Sequence, residues 1–241
     1  MNRLSYDLHI HSCLSPCGDD DMTPANIVGM AVIKELDVIA VTDHNSCKNC
    51  EAVCKWANQY GIIALPGMEL TTEEEVHVLC LFATLEEAMR FDRYVDSKRN
   101  RVKNREDIFG KQLICNCKDE VIQKEEDLLL QNTTIRFERV YELMQFFHGV
   151  MIPAHIEKNS NSLLYNLGFI PIDSKFRCVE IKNMERKREL LAKHPYLEEC
   201  VVVSNSDAHT LTDIHEPLYK MEVRERSPEA VMEWLRNDGR R

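Results

Sequence analysis

The sequence predicts a mixed α/β fold in which mainly parallel strands form a barrel or an open sheet. Short apolar, β-branched runs alternate with longer helical patterns along the whole chain, which is typical of repeated strand–helix units. The runs are almost continuously apolar, as expected for strands that are covered on both faces. No linker rich in Gly, Ser or Pro divides the 241 residues, and this length is sufficient to bury a full core.

Eight segments have the length and composition of buried strands. They span residues 6–10, 38–42, 62–66, 76–82, 150–154, 178–181, 200–204 and 218–223. Thr23-Pro24 and Ser227-Pro228 each pair a helix N-cap with a proline at the first helical position. These and further helical patterns predict helices over residues 24–36, 48–60, 85–95, 135–147, 185–192 and 230–235.

The segment 98–134 breaks this alternation. It is polar, charged and poor in strand signals. We therefore predict an insertion that packs on the barrel or caps it, within a single domain spanning residues 1–241.

The charge and hydropathy of the chain narrow the range of partners. The formal net charge of -10 argues against broad electrostatic capture of a nucleic-acid backbone, which depends on Lys and Arg. A small phosphorylated substrate is compatible with this charge, because bound divalent cations reverse the sign of the local field. No apolar stretch approaches the roughly 20 residues that span a bilayer, so we expect no membrane partner. The N-terminus lacks the apolar segment of a signal peptide, which predicts a cytoplasmic protein.

The ten cysteines are more consistent with reduced thiols than with a disulfide framework. Cys47, Cys50 and Cys54 have the spacing C-x2-C-x3-C, which could serve a bound cluster. They also fall near one face of the predicted helix 48–60, and packing as small apolar side chains is the favoured interpretation.

Histidines and acidic residues concentrate at the predicted strands. His9 and His11 lie two apart on the first strand, so their side chains share one face. The others end a strand, follow one or lie within one: Asp43, His44, Glu69, His77, His155, Asp207 and His209. Six of the 9 histidines are therefore in strands or at their carboxyl ends, the rim where α/β barrels assemble active sites.

These residue types indicate a metal centre. Imidazole and carboxylate ligands without a matching thiolate pattern suit Zn, Mn or Fe rather than an iron–sulfur cluster. One metal usually takes about three or four protein ligands, and the set is larger than that. The sequence therefore predicts a multinuclear site.

Six ordered motifs give the chain a family resemblance. They are DLHIHS (7–12), VTDHN (41–45), PGMEL (66–70), the lone His77, PAH (153–155) and SDAH (206–209). In this order they resemble the motifs of the polymerase and histidinol phosphatase (PHP) superfamily of metal-dependent phosphoesterases. The resemblance implies a distorted seven-stranded (β/α) barrel that holds three divalent metal ions.

The resemblance also implies a role for each matching residue. The first metal would be held by His9, His11, Glu69 and Asp207. Glu69 would bridge to the second metal, which His77 and His155 complete. The third would be held by His44, His209 and an acid. The residues expected to serve catalysis are Glu69, Asp207 and His209.

The acid of the third metal is displaced in this sequence. The usual pattern has Ser-Asp-Gly soon after the H-x-H motif, whereas here Ser15 is followed by Pro-Cys-Gly. From the acidic run 19–21 we predict Asp20 as the ligand, with Asp19 as the next choice. Asp7 and Asp43 resemble groups that orient neighbouring histidines, although either could instead cap a turn.

The predicted activity is hydrolysis of a small phosphomonoester by attack of a hydroxide that bridges two metals. A phosphate-binding cation should lie near the rim, and Lys158, three residues after His155, is the best-placed candidate. Further candidates are Arg136, Lys182 and Arg186. Asn45 could hydrogen-bond the substrate or cap the following helix.

Two alternatives are open at this point. A nuclease or nucleotide phosphodiesterase acting on short oligonucleotides should show aromatic stacking surfaces and a basic groove. With 7% aromatic residues and a net negative charge, the chain shows neither clearly. A non-catalytic metal-binding or regulatory module is the other alternative, which the intact ligand set disfavours.

Overall fold

The computed structural model describes residues 1–237, which form ten strands and eight α-helices. The strands are β1 (Asn2–Ile10), β2 (Val38–Val41), β3 (Ile63–Thr71), β4 (His77–Leu81), β5 (Leu113–Cys115), β6 (Val121–Lys124), β7 (Val150–Pro153), β8 (Cys178–Glu180), β9 (Val201–Val203) and β10 (Lys220–Val223). The helices are α1 (Pro24–Ile33), α2 (Cys50–Gln59), α3 (Leu85–Asp96), α4 (Glu106–Phe109), α5 (Phe137–Phe146), α6 (Leu163–Asn166), α7 (Lys187–Lys193) and α8 (Pro228–Leu235). Among these described residues, no helix has both the length and the apolar character needed to cross a bilayer.

The predicted elements are present, with the largest differences at two strand ends. β1 begins at Asn2 rather than at residue 6, and β3 continues to Thr71 rather than ending at residue 66. The extension of β3 was not predicted because the carboxylate of Glu69 interrupts the apolar run. Thr23 and Ser227 cap α1 and α8 as predicted, since each side-chain oxygen accepts a backbone N–H of the first turn.

Two sheets adjoin to enclose one interior. The larger sheet has the order β10-β1-β2-β3-β4-β7, and β8 and β9 form a parallel pair. The pair meets the larger sheet beyond β7 and beside the carboxyl end of β1. Ile156, just after β7, donates its N–H to the Glu180 carbonyl (3.1 Å), and Ile10 of β1 bridges to Ala208. Strands β1 to β4 and β7 to β9 thus surround a common core, and the predicted α/β fold of a distorted barrel is confirmed.

Strand β4 runs against its neighbours, so the prediction of parallel strands is wrong here. It pairs antiparallel with both β3 and β7, and β10 is likewise antiparallel to β1. Residues 72–76 connect β3 to β4 and are too few for the crossover of about a dozen residues that parallel neighbours need. His77, predicted within the strand 76–82, is the first residue of β4, and it lies at the same rim as the carboxyl end of β3.

Alternate side chains of the seven strands fill the barrel interior. They form one buried apolar cluster with helix α8, and its strand members include Leu8, Ala40, Leu65, Leu79, Ile152, Cys178 and Val203. Helices α1 and α2 cover the outer face of β1 and β2, and α3, α5 and α7 cover the outer face of the other strands. We call the rim formed by the carboxyl ends of β1, β2 and β9 the barrel mouth.

A β-bulge determines which side chains of β1 enter the barrel. Between Asp7 and Ile10 the register with β2 slips by one residue, so two residues of β1 oppose a single residue of β2. The extra residue reverses the alternation of side chains. Leu8 therefore packs in the interior, whereas Ile10 packs outward beneath α1 and α2. The histidines at positions 9 and 11 consequently face the mouth.

The segment 98–134 contains helix α4 and an antiparallel hairpin of β5 and β6. Its strands were not predicted, because β5 has only 3 residues and β6 is exposed along its whole length. The hairpin packs on the loop after β1 and the start of α2. Leu113 donates its N–H to the Cys13 carbonyl (2.8 Å), and Cys115 donates to Asn49 Oδ1 (2.9 Å).

The cysteines of the C-x2-C-x3-C pattern pack between α2 and β3. Cys47 and Cys50 are buried, and both thiols donate to the Gly67 carbonyl at 3.3 Å. Cys54 donates to the Ala64 carbonyl (3.9 Å). These contacts favour a packing role over a bound cluster.

The close approach of β3 and β4 at Gly67 gives a test of the fold. A Cβ at Gly67 would lie 2.6 Å from the Cys80 carbonyl oxygen. We expect Gly67→Ala to lower the free energy of unfolding, measured in urea, by about 1–3 kcal/mol, the usual cost of overpacking. Gly29→Ala is the control, since a Cβ there meets nothing within 4 Å and should stabilise helix α1 by about 0.5–1 kcal/mol. Equal effects of the two substitutions would contradict the close approach.

Candidate metal centre

A buried glutamate, Glu69, lies among imidazole nitrogens at the barrel mouth. Its side chain is only 1% exposed. Its Oε1 is 3.3 Å from His9 Nε2, 2.9 Å from His77 Nδ1 and 3.1 Å from His155 Nε2. Its Oε2 is 3.4 Å from His11 Nε2 and 3.2 Å from His44 Nδ1. The carboxylate therefore joins histidines from the ends of four strands.

Two histidines and two carboxylates form a first compact donor group: His9, His11, Glu69 and Asp207. The Nε2 atoms of the two histidines are 3.2 Å apart, and each is 3.4 Å from Asp207 Oδ1. Metal–ligand bonds of about 2.0–2.2 Å in a tetrahedron place donor atoms about 3.3–3.6 Å apart. The spacing of these atoms is therefore close to the edge length of a tetrahedral coordination shell.

His77 and His155 form a second donor group with Oε1 of Glu69. His77 enters from the start of β4, and His155 follows the end of β7. His155 has a φ of 29° and Asp207 a φ of 52°, in the left-handed region that non-glycine residues rarely adopt. Such conformations cost about 1–3 kcal/mol each and cluster at functional sites. In both cases the turn directs a side chain that follows a strand towards the donor groups.

Glu180 orients His9. The Nδ1 of His9 lies 3.2 and 3.1 Å from the two Glu180 oxygens, so this nitrogen carries the proton and Nε2 presents its lone pair to the first group. Glu180 also accepts from Asn205 Nδ2 (2.7 Å) and from the His155 backbone N–H (2.8 Å). Burial raises the pKa of Glu180, but the charge of His9 more than offsets it and holds the pKa below its usual value. Glu180 was not predicted, although a carboxylate within the apolar run 178–181 was a usable signal.

A second chain of hydrogen bonds orients His11. Its Nδ1 donates to Ser15 Oγ (3.0 Å), which in turn donates to Asp43 Oδ1 (2.7 Å). Asp43 is buried and also accepts from the Ser12 N–H (2.7 Å) and the Ser12 hydroxyl (2.6 Å). Asp43 thus acts on His11 through Ser15, which favours the orienting role over a turn cap.

Asp7 holds the chain that leads into Asp207. One of its oxygens accepts from the Ser206 N–H and the other from the His215 N–H, both at 3.0 Å. The sequence left open whether Asp7 orients a histidine or caps a turn. These contacts favour a third role, in which Asp7 anchors the backbone after β9.

The ionisation states of the mouth favour cation binding. Burial raises the pKa of Glu69, but His77 and His9 outweigh it and hold the pKa well below its usual value. The pKa of Asp207 is likewise low, because His9 and His11 outweigh the effect of burial. Burial lowers the pKa of His44 well below its usual value and that of His209 to about 4. These two histidines are therefore neutral at pH 7, the form that binds metals.

A third set of donors lies beside the first two. The donor atoms of His11, Cys17, His44 and His209 lie within 4.8 Å of one another. Asp20, the predicted acid of the third site, is 50% exposed and pairs with Lys111 at the surface. The structure therefore places a thiol where the sequence predicted a carboxylate.

The donor groups fit divalent cations. His44 Nδ1 is buried and has no hydrogen-bond partner within the described residues 1–237, although it faces Glu69. Buried polar atoms are almost always satisfied, so an orphaned lone pair beside a carboxylate suits a cation. Neutral imidazoles with ionised carboxylates are also the ligands that zinc, manganese and iron share.

Two lysines reach the outer oxygen of Asp207. Lys158 Nζ donates to Oδ2 at 2.9 Å and Lys182 Nζ at 3.3 Å, while Oδ1 faces His9 and His11. The lysine side chains are 40% and 41% exposed, so they border the mouth and face solvent. Burial lowers the pKa of Lys158, but the Asp207 carboxylate raises it above its usual value, so Lys158 is a cation at neutral pH.

The other predicted substrate contacts are engaged elsewhere. Asn45 is buried, and its Nδ2 donates to the carbonyls at positions 129 and 131 (2.8 and 3.0 Å), while its Oδ1 accepts the Thr71 N–H (2.8 Å). Asn45 thus clamps the segment 98–134 to β3, and both of its donors are used. Arg136 pairs with Glu138 (2.9 Å), and Arg186 donates to the Glu157 carbonyl (3.3 Å).

Comparison with known proteins places this fold and site in a family. The sequence profile of the PHP domain matches residues 7–235. An uncharacterized protein of Methanocaldococcus jannaschii is 34% identical over 82 residues, which are 30% of this chain and 48% of the relative. The chain therefore matches about half the length of that relative.

Solved structures share the fold at low sequence identity. The lesion-specific endonuclease Q of Pyrococcus furiosus superposes with a TM-score of 0.70 and 19% identity, over 99% of this chain and 57% of its own. A complex of endonuclease Q with a 27-mer duplex that carries an abasic lesion gives a TM-score of 0.67 and 18% identity, over 99% and 57% of the two chains. A protein of Bifidobacterium adolescentis, provisionally assigned as a metal-dependent phosphoesterase, gives 0.60 and 16% identity over 95% of both chains. This chain thus spans little more than half of endonuclease Q.

The profile match extends over almost the entire described chain, and it includes every donor group of the barrel mouth. The matching structures share the barrel that positions these groups. The chain therefore belongs to the PHP domain family.

Proposed function

We propose that the protein is a metal-dependent phosphoesterase that hydrolyses a small phosphomonoester. The observation that carries this proposal is the convergence of two lysine ammonium groups on Asp207, whose other oxygen belongs to the first donor group. A phosphomonoester carries about -1.5 to -2 charge at pH 7, because its second pKa is about 6. A diester carries a single charge, so two lysines beside divalent cations suit the monoester better.

The proposed centre holds three divalent cations, each of them zinc, manganese or iron. The first two would be bound by His9, His11, Glu69, His77, His155 and Asp207. The third would lie beside His44 and His209. Such cations supply a water of lowered pKa as the nucleophile and a clamp for the phosphate oxygens.

The chain's own residues would orient and neutralise the substrate. Lys158 and Lys182 would bind the phosphate oxygens and offset the charge that develops there during the reaction. Glu180 and Ser15 fix the ring orientations of His9 and His11, so the metal-binding geometry is set before substrate arrives. We assign His209 to metal binding rather than proton donation, since a pKa of about 4 leaves it neutral at pH 7.

Cleavage of nucleic acid is the second candidate function. It is favoured by the fold similarity to endonuclease Q, which extends over 99% of this chain. Against it stands the net charge of -10. A short oligonucleotide would meet this objection better than a long duplex would.

Removal of the Glu69 charge tests the metal centre. Glu69→Gln should lower bound metal and reduce kcat/KM for p-nitrophenyl phosphate by at least about a hundredfold, because a neutral amide is a poor bridge between two cations. Elemental analysis of the purified protein and steady-state kinetics give the two readouts. Glu73→Gln makes the same change at an exposed position after β3 and should alter neither. Full metal content together with full activity in Glu69→Gln would overturn the proposed centre.

Neutralising the rim lysines tests phosphate binding. Lys158→Gln and Lys182→Gln should each raise KM for a phosphomonoester about tenfold, the loss expected for one charge-assisted hydrogen bond. The effect on the singly charged bis(p-nitrophenyl) phosphate should be smaller. Lys193→Gln, an exposed lysine paired with Glu189 on α7, is the control and should change neither KM. Equal KM values for all three variants and the parent would exclude a phosphate-binding role.

A substrate panel separates the two candidate functions. With its native metals, the enzyme should turn over small phosphomonoesters with a higher kcat/KM than bis(p-nitrophenyl) phosphate or short oligonucleotides. The charge argument above is the reason, since the rim suits a dianion. Preference for the diester or the oligonucleotides would replace the first proposal by the second. Inactivity on all of them, with metal bound, would contradict both.

A further inference from the structure

The loop that follows β1 is fixed on both sides of Cys17. Ser15 N–H donates to the Ser12 carbonyl (3.0 Å), and Gly18 N–H donates to the Ser15 carbonyl (2.9 Å). A Cβ at Gly18 would lie 2.6 Å from the Ser12 carbonyl oxygen, so only glycine fits this turn without a shift. Residue 19 then donates its N–H to the carbonyl of His209 (2.9 Å). The backbone around Cys17 is thus attached directly to a histidine of the mouth.

This loop brings the thiol of Cys17 close to three histidines of the mouth. The donor atoms of Cys17, His11, His44 and His209 lie within 4.8 Å of one another. His11 already faces Glu69 and Asp207, and His44 Nδ1 lies 3.2 Å from Glu69 Oε2, so the set of Cys17, His44 and His209 adjoins the first donor group through Glu69. The rings of this set pack on His11, with centroids 4.6 Å away for His44 and 4.4 Å for His209.

Two independent observations indicate that this set binds a ligand. His44 is 4% exposed, and its Nδ1 is without a hydrogen-bond partner in the described part of the chain. His209 Nδ1 donates to the Asp207 carbonyl (2.8 Å), so its Nε2 carries the free lone pair. A buried orphan nitrogen and an oriented lone pair beside a thiol match the requirements of a cation.

The acid that the sequence predicted for the third metal lies away from Cys17, His44 and His209. Asp20 points to the surface and pairs with Lys111. Cys17 and Gly18 instead stand in the place where the resembling motif has Asp-Gly, displaced by the insertion of Pro16.

We propose that Cys17, as a thiolate, binds the third cation of the centre together with His44 and His209. The proposal rests on the multinuclear centre of the proposed function and names one of its ligands. A thiolate is a soft donor, whereas manganese and magnesium prefer carboxylate and water oxygens. The third position should therefore select zinc over manganese. The thiol proton leaves on binding, so the sulfur carries the charge that an aspartate would supply.

Cobalt substitution gives a direct test. In the full-length protein loaded with Co²⁺ under a phosphine reductant, we expect a sulfur-to-cobalt charge-transfer band in the near ultraviolet. Cys17→Ser should lose the band and one equivalent of bound metal, and its zinc affinity at that position should fall at least about tenfold. Cys17→Asp should lose the band but keep the metal, with the preference shifted from zinc towards manganese. Cys54→Ser removes a partly buried thiol on α2 and should keep both band and metal.

Alkylation of the unmutated protein provides a readout that does not depend on any variant folding. Zinc should slow the reaction of Cys17 with iodoacetamide at least about tenfold, since a bound thiolate is shielded, while Cys54 should be unaffected. A charge-transfer band that persists in Cys17→Ser, or equal alkylation of Cys17 with and without zinc, would overturn the proposal. None of these measurements uses a substrate. A normal band in a protein without phosphatase activity would therefore count against the proposed function and leave the Cys17 ligand standing.

Discussion

The architecture of the mouth depends on one buried carboxylate that is shared by five imidazoles. Glu69 is 1% exposed and lies within 3.4 Å of histidines from β1, β4 and the ends of β2 and β7. An ionised carboxylate in such surroundings costs several kcal/mol unless charge compensates it. Without metal, the charges of His77 and His9 supply this compensation, and bound divalent cations would take it over. Donors from β1, β2, β4 and β7 converge on this one carboxylate.

The apolar half of the barrel makes such a mouth possible. The interior cluster beneath it contains side chains from all seven barrel strands and from α8. This packing offsets the strain of His155 and Asp207, which hold left-handed backbone conformations. It also keeps water from the inner side of the histidines, where Glu180 accepts directly from His9 and Asp43 acts on His11 through the Ser15 hydroxyl. The apolar cluster that stabilises the barrel and the donor groups of the mouth therefore occupy different layers of one interior.

The sequence predicted most of the fold and the central donors, because both depend on local pattern. The period-two spacing of His9 and His11 places two ligands on one face of the strand, irrespective of how the neighbouring strands pair with it. The direction of β4 depends on the short connection 72–76 and not on the apolar pattern of the strand. The roles of Glu180 and Cys17 depend on the tertiary structure, since Glu180 acts through His9 and Cys17 is brought to His44 by a turn closed at Gly18. Asn45 belongs to the motif VTDHN (41–45), but its side chain donates to a backbone carbonyl of the segment 98–134.

The bulge in β1 has a consequence for which side chains of this strand can reach a metal ion. With regular alternation after Leu8, Ile10 would face the interior, and the imidazoles of His9 and His11 would face outward beneath α1 and α2. The extra residue exchanges the two faces only for the residues that follow the bulge. The apolar side chains that precede it stay in the interior. On this strand, one extra residue of backbone thus decides whether apolar side chains or imidazoles face the interior at the mouth. Loss of that residue would turn both imidazoles out of the interior without changing the identity of any side chain.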